Sequence, residues 1–432
     1  MRPLTFHTRS REFSVLLALL MAIFVLSILV FPERAFQSSL AGLTIWWSIV
    51  FPSLLPFFMI GEMMTGFGIV RGFGTIMEPL MRLLFRIPGA GAWIVALGAV
   101  AGMPAGAEAT GRLRRDGQID REEAERILAL SHVASPFFII TVVGAGFLHS
   151  AEAGMAIAII HYASALAAAL LLNGFGRRLR PRPMSVPLPI PAAAAARQPN
   201  KPLLQRALTD MHQARMEDGR TFGKLLGDSV SSAIQTLMTI GGTMIVFSVL
   251  LGMIETLKLT DLLAHAIAGI MPAWSSPAET VRIALTGIAE LHLGIGRISG
   301  SMPIDVTAAA AIGVALAWSG LAVHVQVMTA LRHTDMRYRR FLLVRVVHAA
   351  LALLFTLAFW QPVIGWLQLL EQRFVSASAL FGKQTAATAR PLSDVQSMWS
   401  SVPDRMVQLG MIVAILLTAS ALVSLFRWSK KR

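Results

Sequence analysis

A carboxylate and an imidazole stand two residues apart, Glu290 and His292, in the apolar stretch Ala289-Glu-Leu-His-Leu-Gly. Ionisable groups at membrane depth are costly to keep and by default mark function. Gly287, Gly294 and Gly296 flank the pair and can free backbone groups to line a cavity. A spacing of two puts both side chains on one face of an extended segment, but about 200° apart on a helix. The same pair also reads as a structural contact that pins its segment. A second candidate is Gly102-Met103-Pro104-Ala105-Gly106, with Glu108 just beyond it. Its glycines and proline allow unwound backbone that can hold a solute's polar groups, or close helix packing through small residues.

Two further stretches carry polar groups beside an expected helix break. Ser131-His132-Val-Ala-Ser135-Pro136 offers hydroxyls, an imidazole and a proline kink, and Ser319-Gly-Leu-Ala-Val-His324-Val-Gln326 offers a hydroxyl, an imidazole and an amide. Polar side chains at a midspan break fit a site rather than a lipid-facing surface. A single histidine on an apolar helix equally fits packing. Asp228, Ser231, Ser232 and Gln235 recur at helical spacing and are expected to face the interior of the bundle. Asp228 also suits a membrane interface. His161 and His348 are isolated on apolar stretches and rank lower.

Other chemistries are excluded by composition and by missing motifs. The chain has no cysteine, which rules out disulfides, thiolate metal sites and cysteine nucleophiles. It contains no His-Glu-x-x-His, no Gly-x-Ser-x-Gly and no Walker-type phosphate loop. The expectation is therefore a protein that is not an enzyme and needs no cofactor or metal. The 22 methionines read as core filler. The formal charge of +14 gathers in short loops between apolar runs, which fits positive-inside topology. The basic stretches lack the interleaved aromatics of a nucleic-acid site.

The elements that must position these residues are membrane helices. Of 432 residues 55% are hydrophobic and only 14% charged, where a soluble protein carries about a quarter charged. Mean hydropathy is +0.64. Eight apolar runs approach the ~20 residues that cross a bilayer. They lie at about Phe13–Phe31, Gly42–Met64, Arg126–Leu148, Met155–Leu172, Leu225–Ile254, Val306–Leu331, Phe341–Trp366 and Leu409–Phe426. The first lacks a small-residue cleavage site and reads as an uncleaved anchor. Gly89–Ala107 and Val281–Gly296 are apolar but glycine-broken. If the former crossed fully, Arg112, Arg114 and Arg115 would face outside against the charge bias. Both are expected to be re-entrant hairpins. Ile69–Phe85 and Leu259–Met271 are expected on the membrane surface, and Asp120-Arg-Glu-Glu starts a helix with a capping box.

The pattern occurs twice. Gly42-Leu-Thr-Ile-Trp-Trp answers Gly227-Asp-Ser-Val-Ser-Ser, Gly98-Ala-Val-Ala-Gly answers Gly287-Ile-Ala-Glu-Leu, and Ala129-Leu-Ser-His-Val-Ala answers Ala317-Trp-Ser-Gly-Leu-Ala. The offsets are 185, 189 and 188 residues. Loop charges make the first copy's leading span run inward and the second's outward, so the copies are expected to be inverted, as in transporters. The expected organisation is an N-terminal anchor (1–39), a first repeat (40–173), a Pro/Arg-rich cytoplasmic linker that is semi-extended (174–220), a second repeat (221–370), an external polar loop (371–407) and a last span with a basic tail (408–432). Both termini are expected in the cytoplasm.

Four stretches carry a resemblance. Phe51-Pro-Ser-Leu-Leu-Pro-Phe-Phe, Glu78-Pro-Leu-Met-Arg-Leu-Leu-Phe-Arg-Ile-Pro-Gly, Gly102-Met-Pro-Ala-Gly-Ala and Trp318-Ser-Gly-Leu-Ala-Val-His-Val-Gln-Val are similar to the YlbJ-type sporulation integral membrane proteins of endospore-forming Firmicutes, over about residues 40–370. Those proteins carry two nucleoside recognition, or Gate, domains, which resemble the core halves of concentrative nucleoside transporters and ferrous-iron permeases. The resemblance implies a role in spore cortex formation and no particular substrate.

Together these readings give an all-α polytopic membrane protein, an inverted repeat of two Gate-type units with about eight membrane helices and two re-entrant hairpins. It is expected to move or bind a small polar solute or lipid-linked precursor through Glu290, His292, Ser131, His132, Ser135, Ser319, His324, Gln326 and the Met103–Gly106 backbone, with Asp228, Gln235 and Glu108 secondary. Its expected partners are the bilayer and that solute, with a homodimer or cortex-assembly partners possible and no nucleic acid. The alternative is a scaffold that organises cortex-assembly partners without transport.

Overall fold

The computed structural model describes residues 11–85, 87, 89–174, 202–270, 277–380 and 402–429. Arg2 and Arg9, residues 175–201 of the linker, 381–401 of the polar loop, and the tail from 430 lie outside the described residues. Every regular element among those described is a helix. Seven helices are long and apolar enough to cross a membrane: Arg11–Val30, Pro32–Gly66, Ala151–Leu172, Phe222–Thr256, Val306–Ala330, Tyr338–Leu370 and Val402–Phe426. The eighth expected span is not one helix. It is divided into Arg121–Ser131 and the π-helical Phe138–Phe147, with an unwound stretch from His132 to Ser135. Pro136 explains the break, because it lacks an N–H and its ring clashes with the preceding turn.

In chain order α1 is Arg11–Val30, α2 Pro32–Ile45, α3 Phe51–Gly66, α4 Ile69–Phe85, α5 Gly89–Ala101, α6 Met103–Arg115, α7 Arg121–Ser131 and α8 Ala151–Gly174. There follow α9 Leu203–Asp218, α10 Phe222–Thr256, α11 Leu259–Ile270, α12 Pro277–Ala289 and α13 Leu291–Ser301. The series ends with α14 Val306–Trp318, α15 Gly320–Ala330, α16 Tyr338–Leu380 and α17 Val402–Ser429.

Three sequence expectations change. Residues 32–39 form no external loop but the first turns of α2, with Pro32 at the helix start, where its missing N–H costs nothing. The rod continues to Gly66 through a π-helical turn at Trp46–Val50, just before Pro52, which relieves the proline's clash with the turn behind it. The second half of the linker is not extended: α9 packs on α4, with Arg206 on Glu78 at 2.9 Å, Arg71 on Glu217 at 2.7 Å and Thr75 donating to Asp210 at 2.6 Å. The start of the expected polar loop, residues 371–380, is the helical end of α16.

The core forms where α8, α14 and α16 pack together with Phe138–Phe147. Ile139, Ile140, Val142 and Val143 are fully buried there. Small residues set the closest approach, since Gly144 and Gly154 meet backbone to backbone. Around this core, α10 lies along the α2–α3 rod, fixed by Trp46 Nε1 donating to Leu237 O at 2.9 Å and Ser248 Oγ to Ser38 O at 2.7 Å. By contrast α1 leaves Leu16, Leu19, Leu26 and Leu29 exposed along its length, as a lipid-facing helix does.

Candidate functional site

Four helix breaks build the site. The first lies between α5 and α6, two short helices packed as a hairpin with Gly102 at the bend. Gly102 has φ +85°, a conformation that glycine adopts without steric penalty. Met103–Gly106 form the first turn of α6. The second is the unwound stretch after α7. It packs on the hairpin so closely that a side chain at Gly98 or Gly106 would collide with Ser131. Ser131, His132 and Ser135 are all buried, and Ser135 Oγ accepts the Phe138 N–H at 3.2 Å to restart the helix.

The third break separates α12 from α13, again a packed helical pair. Glu290 is extended, with φ −142° and ψ 127°, and caps α13 by accepting the Leu293 N–H at 2.7 Å. Its other oxygen lies 2.7 Å from His292 Nδ1. The spacing of two thus brings the pair together even though His292 is already helical, because only Glu290 lies outside the helix. Glu290 is 2% exposed, so both oxygens depend on these partners rather than on water.

The fourth break divides α14 from α15. Ser319 and Gly320 both have φ +78°, and for serine this left-handed backbone costs roughly 1–2 kcal/mol. His324 Nε2 meets the freed carbonyl of Trp318 at 2.9 Å, and its Nδ1 meets Tyr338 Oη at 2.8 Å. This break rests on the third: Trp318 Nε1 donates to Ile288 O at 3.0 Å, and a side chain at Gly320 would crowd the backbone at Glu290 and Leu291.

The two halves touch through rings. Phe138, at the restarted helix, stands edge-on to His292 with centroids 5.3 Å apart. His132 and His324 both pack against Phe341, at 4.8 and 5.3 Å. Ion pairs join the halves beyond these contacts. Glu125 of α7 binds Arg337 at 2.8 Å and Arg340 at 3.1 Å, and Arg114 of α6 binds Asp335 at 2.8 Å. Burial alone would push the Glu125 carboxyl up, but hydrogen bonds from Arg337 outweigh it and hold the group below its usual range.

Of the residues singled out from sequence, Glu290, His292, Ser131, His132, Ser135, Ser319, His324 and the Met103–Gly106 turn lie at these breaks. Gln326 is on α15 and half-buried, away from the break. The polar stripe on α10 does not face inward. Ser231 and Gln235 are exposed and Asp228 is half-exposed beside Arg220 at 3.3 Å, because α10 buries Leu225, Ser229, Ala233 and Leu237 instead. Glu108 is also exposed.

Sequence reasoning passed over Arg345. It is 1% exposed and donates to His132 O at 2.6 Å and Ala129 O at 3.1 Å, capping the broken end of α7. Its signal was an arginine three residues before His348 inside an apolar run. His161 and His348, ranked low, are both buried next to it with ring centroids 4.7 Å apart.

The profile of the Gate family, described as nucleoside recognition, matches residues 47–152. That range holds the first hairpin and the broken helix after it. The sporulation integral membrane protein YlbJ of Bacillus subtilis (strain 168) is 36% identical over 332 residues, which cover 77% of this chain and 79% of the relative. With that similarity and its several membrane-length helices, the chain belongs to the YlbJ-type family of sporulation integral membrane proteins.

Proposed function

We propose that this protein is a Gate-type permease of sporulation that moves or binds a small polar solute or lipid-linked precursor needed for the spore cortex. The observation that carries the reading is the buried Glu290–His292 pair at one of four helix breaks, with Phe138 beside a second break against His292 and Gly320 of another against Glu290. Broken helices at membrane depth expose backbone amides and carbonyls, and are tolerated where they face protein or a polar path. In transporters such breaks are where substrate binds. In this reading α5–α6 and α12–α13 are re-entrant hairpins entering from opposite faces, residues 40–173 and 221–370 are inverted Gate units, and both termini are cytoplasmic. The spacing supports it, since Gly102 and Glu290, and Ser131 and Ser319, are each 188 residues apart.

Two experiments test it. Glu290→Gln and His292→Ala should abolish cortex formation at normal protein levels. Normal sporulation of both, with failure on deleting 174–220 or 371–407, would instead favour a scaffold for cortex-assembly partners. A cysteine placed at Gln118 should be labelled by an impermeant thiol reagent only from the cytoplasm. Labelling from outside rules out the first re-entrant hairpin.

A further inference from the structure

Six buried side-chain atoms at or beside the second break have no hydrogen-bond partner: Ser131 Oγ, both ring nitrogens of His132, His161 Nδ1, Arg345 Nε and His348 Nδ1. Arg345 links them. Its guanidinium holds the His132 and Ala129 carbonyls, and it lies one helical turn from His348, whose ring is 4.7 Å from that of His161. Hydrogen bonds fix which nitrogens donate in His161 and His348. His161 Nε2 accepts the Ala134 N–H at 3.4 Å, so in the neutral ring the proton is on Nδ1. His348 Nε2 points at the His161 carbonyl at 3.2 Å, so its Nδ1 carries a lone pair. Arg345 Nε–H can only donate.

Arg345, His161 and His348 therefore present one fixed positive charge, two free donors and one acceptor. Among the described residues no carboxylate pairs with that charge. Glu125 is committed to Arg337 and Arg340, and Arg345 bonds only to carbonyls. Helix-end carbonyls carry about half a charge in sum, which compensates a buried guanidinium only in part. Among the described residues no three metal-ligating side chains converge, so the cluster does not suit a metal cation.

We propose that Arg345, His161 and His348 form an oxyanion site that takes the carboxylate or phosphate group of a small solute. Arg345 Nε–H and His161 Nδ1–H donate to its oxygens, and His348 Nδ1 accepts from any hydroxyl it keeps. The site deepens the solute-pathway reading, because Arg345 holds the carbonyls of the second break, and gives that solute an anionic group. Binding is measured on purified protein, so the site and the sporulation role can fail separately.

The test is thermal unfolding of the full chain in detergent, titrated with inorganic phosphate or acetate against chloride at constant ionic strength. Wild-type protein should be stabilised in a saturable way by at least one oxyanion. Phosphate stabilisation alone assigns a phosphoryl group, and acetate alone a carboxylate. Arg345→Gln should weaken the apparent affinity at least about tenfold, the loss of a hydrogen bond to a charged group. Lys224→Gln, which removes an exposed cation on α10 far from the breaks in sequence, should leave it unchanged. If Arg345→Gln does not fold, His161→Ala and Arg345→Lys carry the test, each with weaker binding expected. Absence of saturable stabilisation in wild type, or equal stabilisation in the folded Arg345 and His161 variants, overturns the site. The latter result would mean general salt exclusion or ordered water in its place.

Discussion

The breaks after α7 and after α14 stand at matching places, yet they are held together differently. At Ser319 the freed carbonyl of Trp318 is taken by His324, one turn further along the same broken helix. At His132 the freed carbonyls are taken by Arg345, which lies more than 200 residues away in the other half. The hairpins differ likewise. Gly102 closes the first by backbone freedom alone, whereas Glu290 closes the second with a side chain that caps α13 and holds His292. The second half satisfies its own breaks with local side chains. The first also uses its own Ser135, His161 and Tyr162, but the carbonyls that end α7 are held by a group imported from the other half. The end of α7 is therefore tied to the other half, while the end of α14 is held within its own.

Glycine contacts give the largest expected contrast. Gly106→Val would drive a side chain into Ser131, and overpacking of this kind costs about 1–3 kcal/mol or more. Gly287→Ala in the second hairpin meets only Ala315 Cβ at 3.8 Å, an ordinary contact. Thermal unfolding in detergent should show a marked loss for the first and little change for the second; equal losses would remove the contrast.

His324→Ala should cost about 1–2 kcal/mol, since it leaves the Trp318 carbonyl without its partner. Hydrogen exchange should rise around residues 316–322 and not around 130–136. A rise at both breaks would show that the second is not locally held.

Acid tests the bridge between halves. The Glu125 carboxyl is held low in the folded protein by Arg337 and Arg340, so its contribution is fully present above the unfolded value of 4.5. It is lost as the pH falls through the lower folded value. Wild-type stability should fall below pH 4.5 more steeply than that of Glu125→Gln. Parallel curves would mean that the ion pairs do not join the halves.

Ser319→Gly gives the smallest effect. It relieves a left-handed serine and should leave stability unchanged or raised by less than about 1 kcal/mol. A clear loss would show that the Ser319 hydroxyl, 3.3 Å from Leu316 O, holds the break.

Much of this arrangement was legible in the residues. Apolar runs of membrane length located seven of the spans, because lipid imposes a length and a composition on any helix that crosses it. Proline and glycine located the breaks at Gly102, Pro136 and Gly320, because these residues act through their own backbone geometry. The capping box at Asp120 formed as read, with Asp120 accepting the Glu123 N–H at 2.7 Å. Local chemistry of this kind needs only near neighbours.

What the sequence did not show is which faces turn inward and which distant groups meet. The Asp228–Gln235 stripe has helical spacing but looks outward, since the α2–α3 rod selects the opposite face of α10. Residues 203–218 read as linker because their apolar positions are few, and only α4, with Glu78, Thr75 and Arg71 facing them, makes them a packed helix. Arg345 is one charge in an apolar run until tertiary packing sets it against carbonyls from α7 and beside His161. The sequence by itself determined where helices run and where they break, because both are set within a few residues. Tertiary structure alone decided how each break is satisfied, because a buried carbonyl takes its partner from whatever chain lies nearest in space.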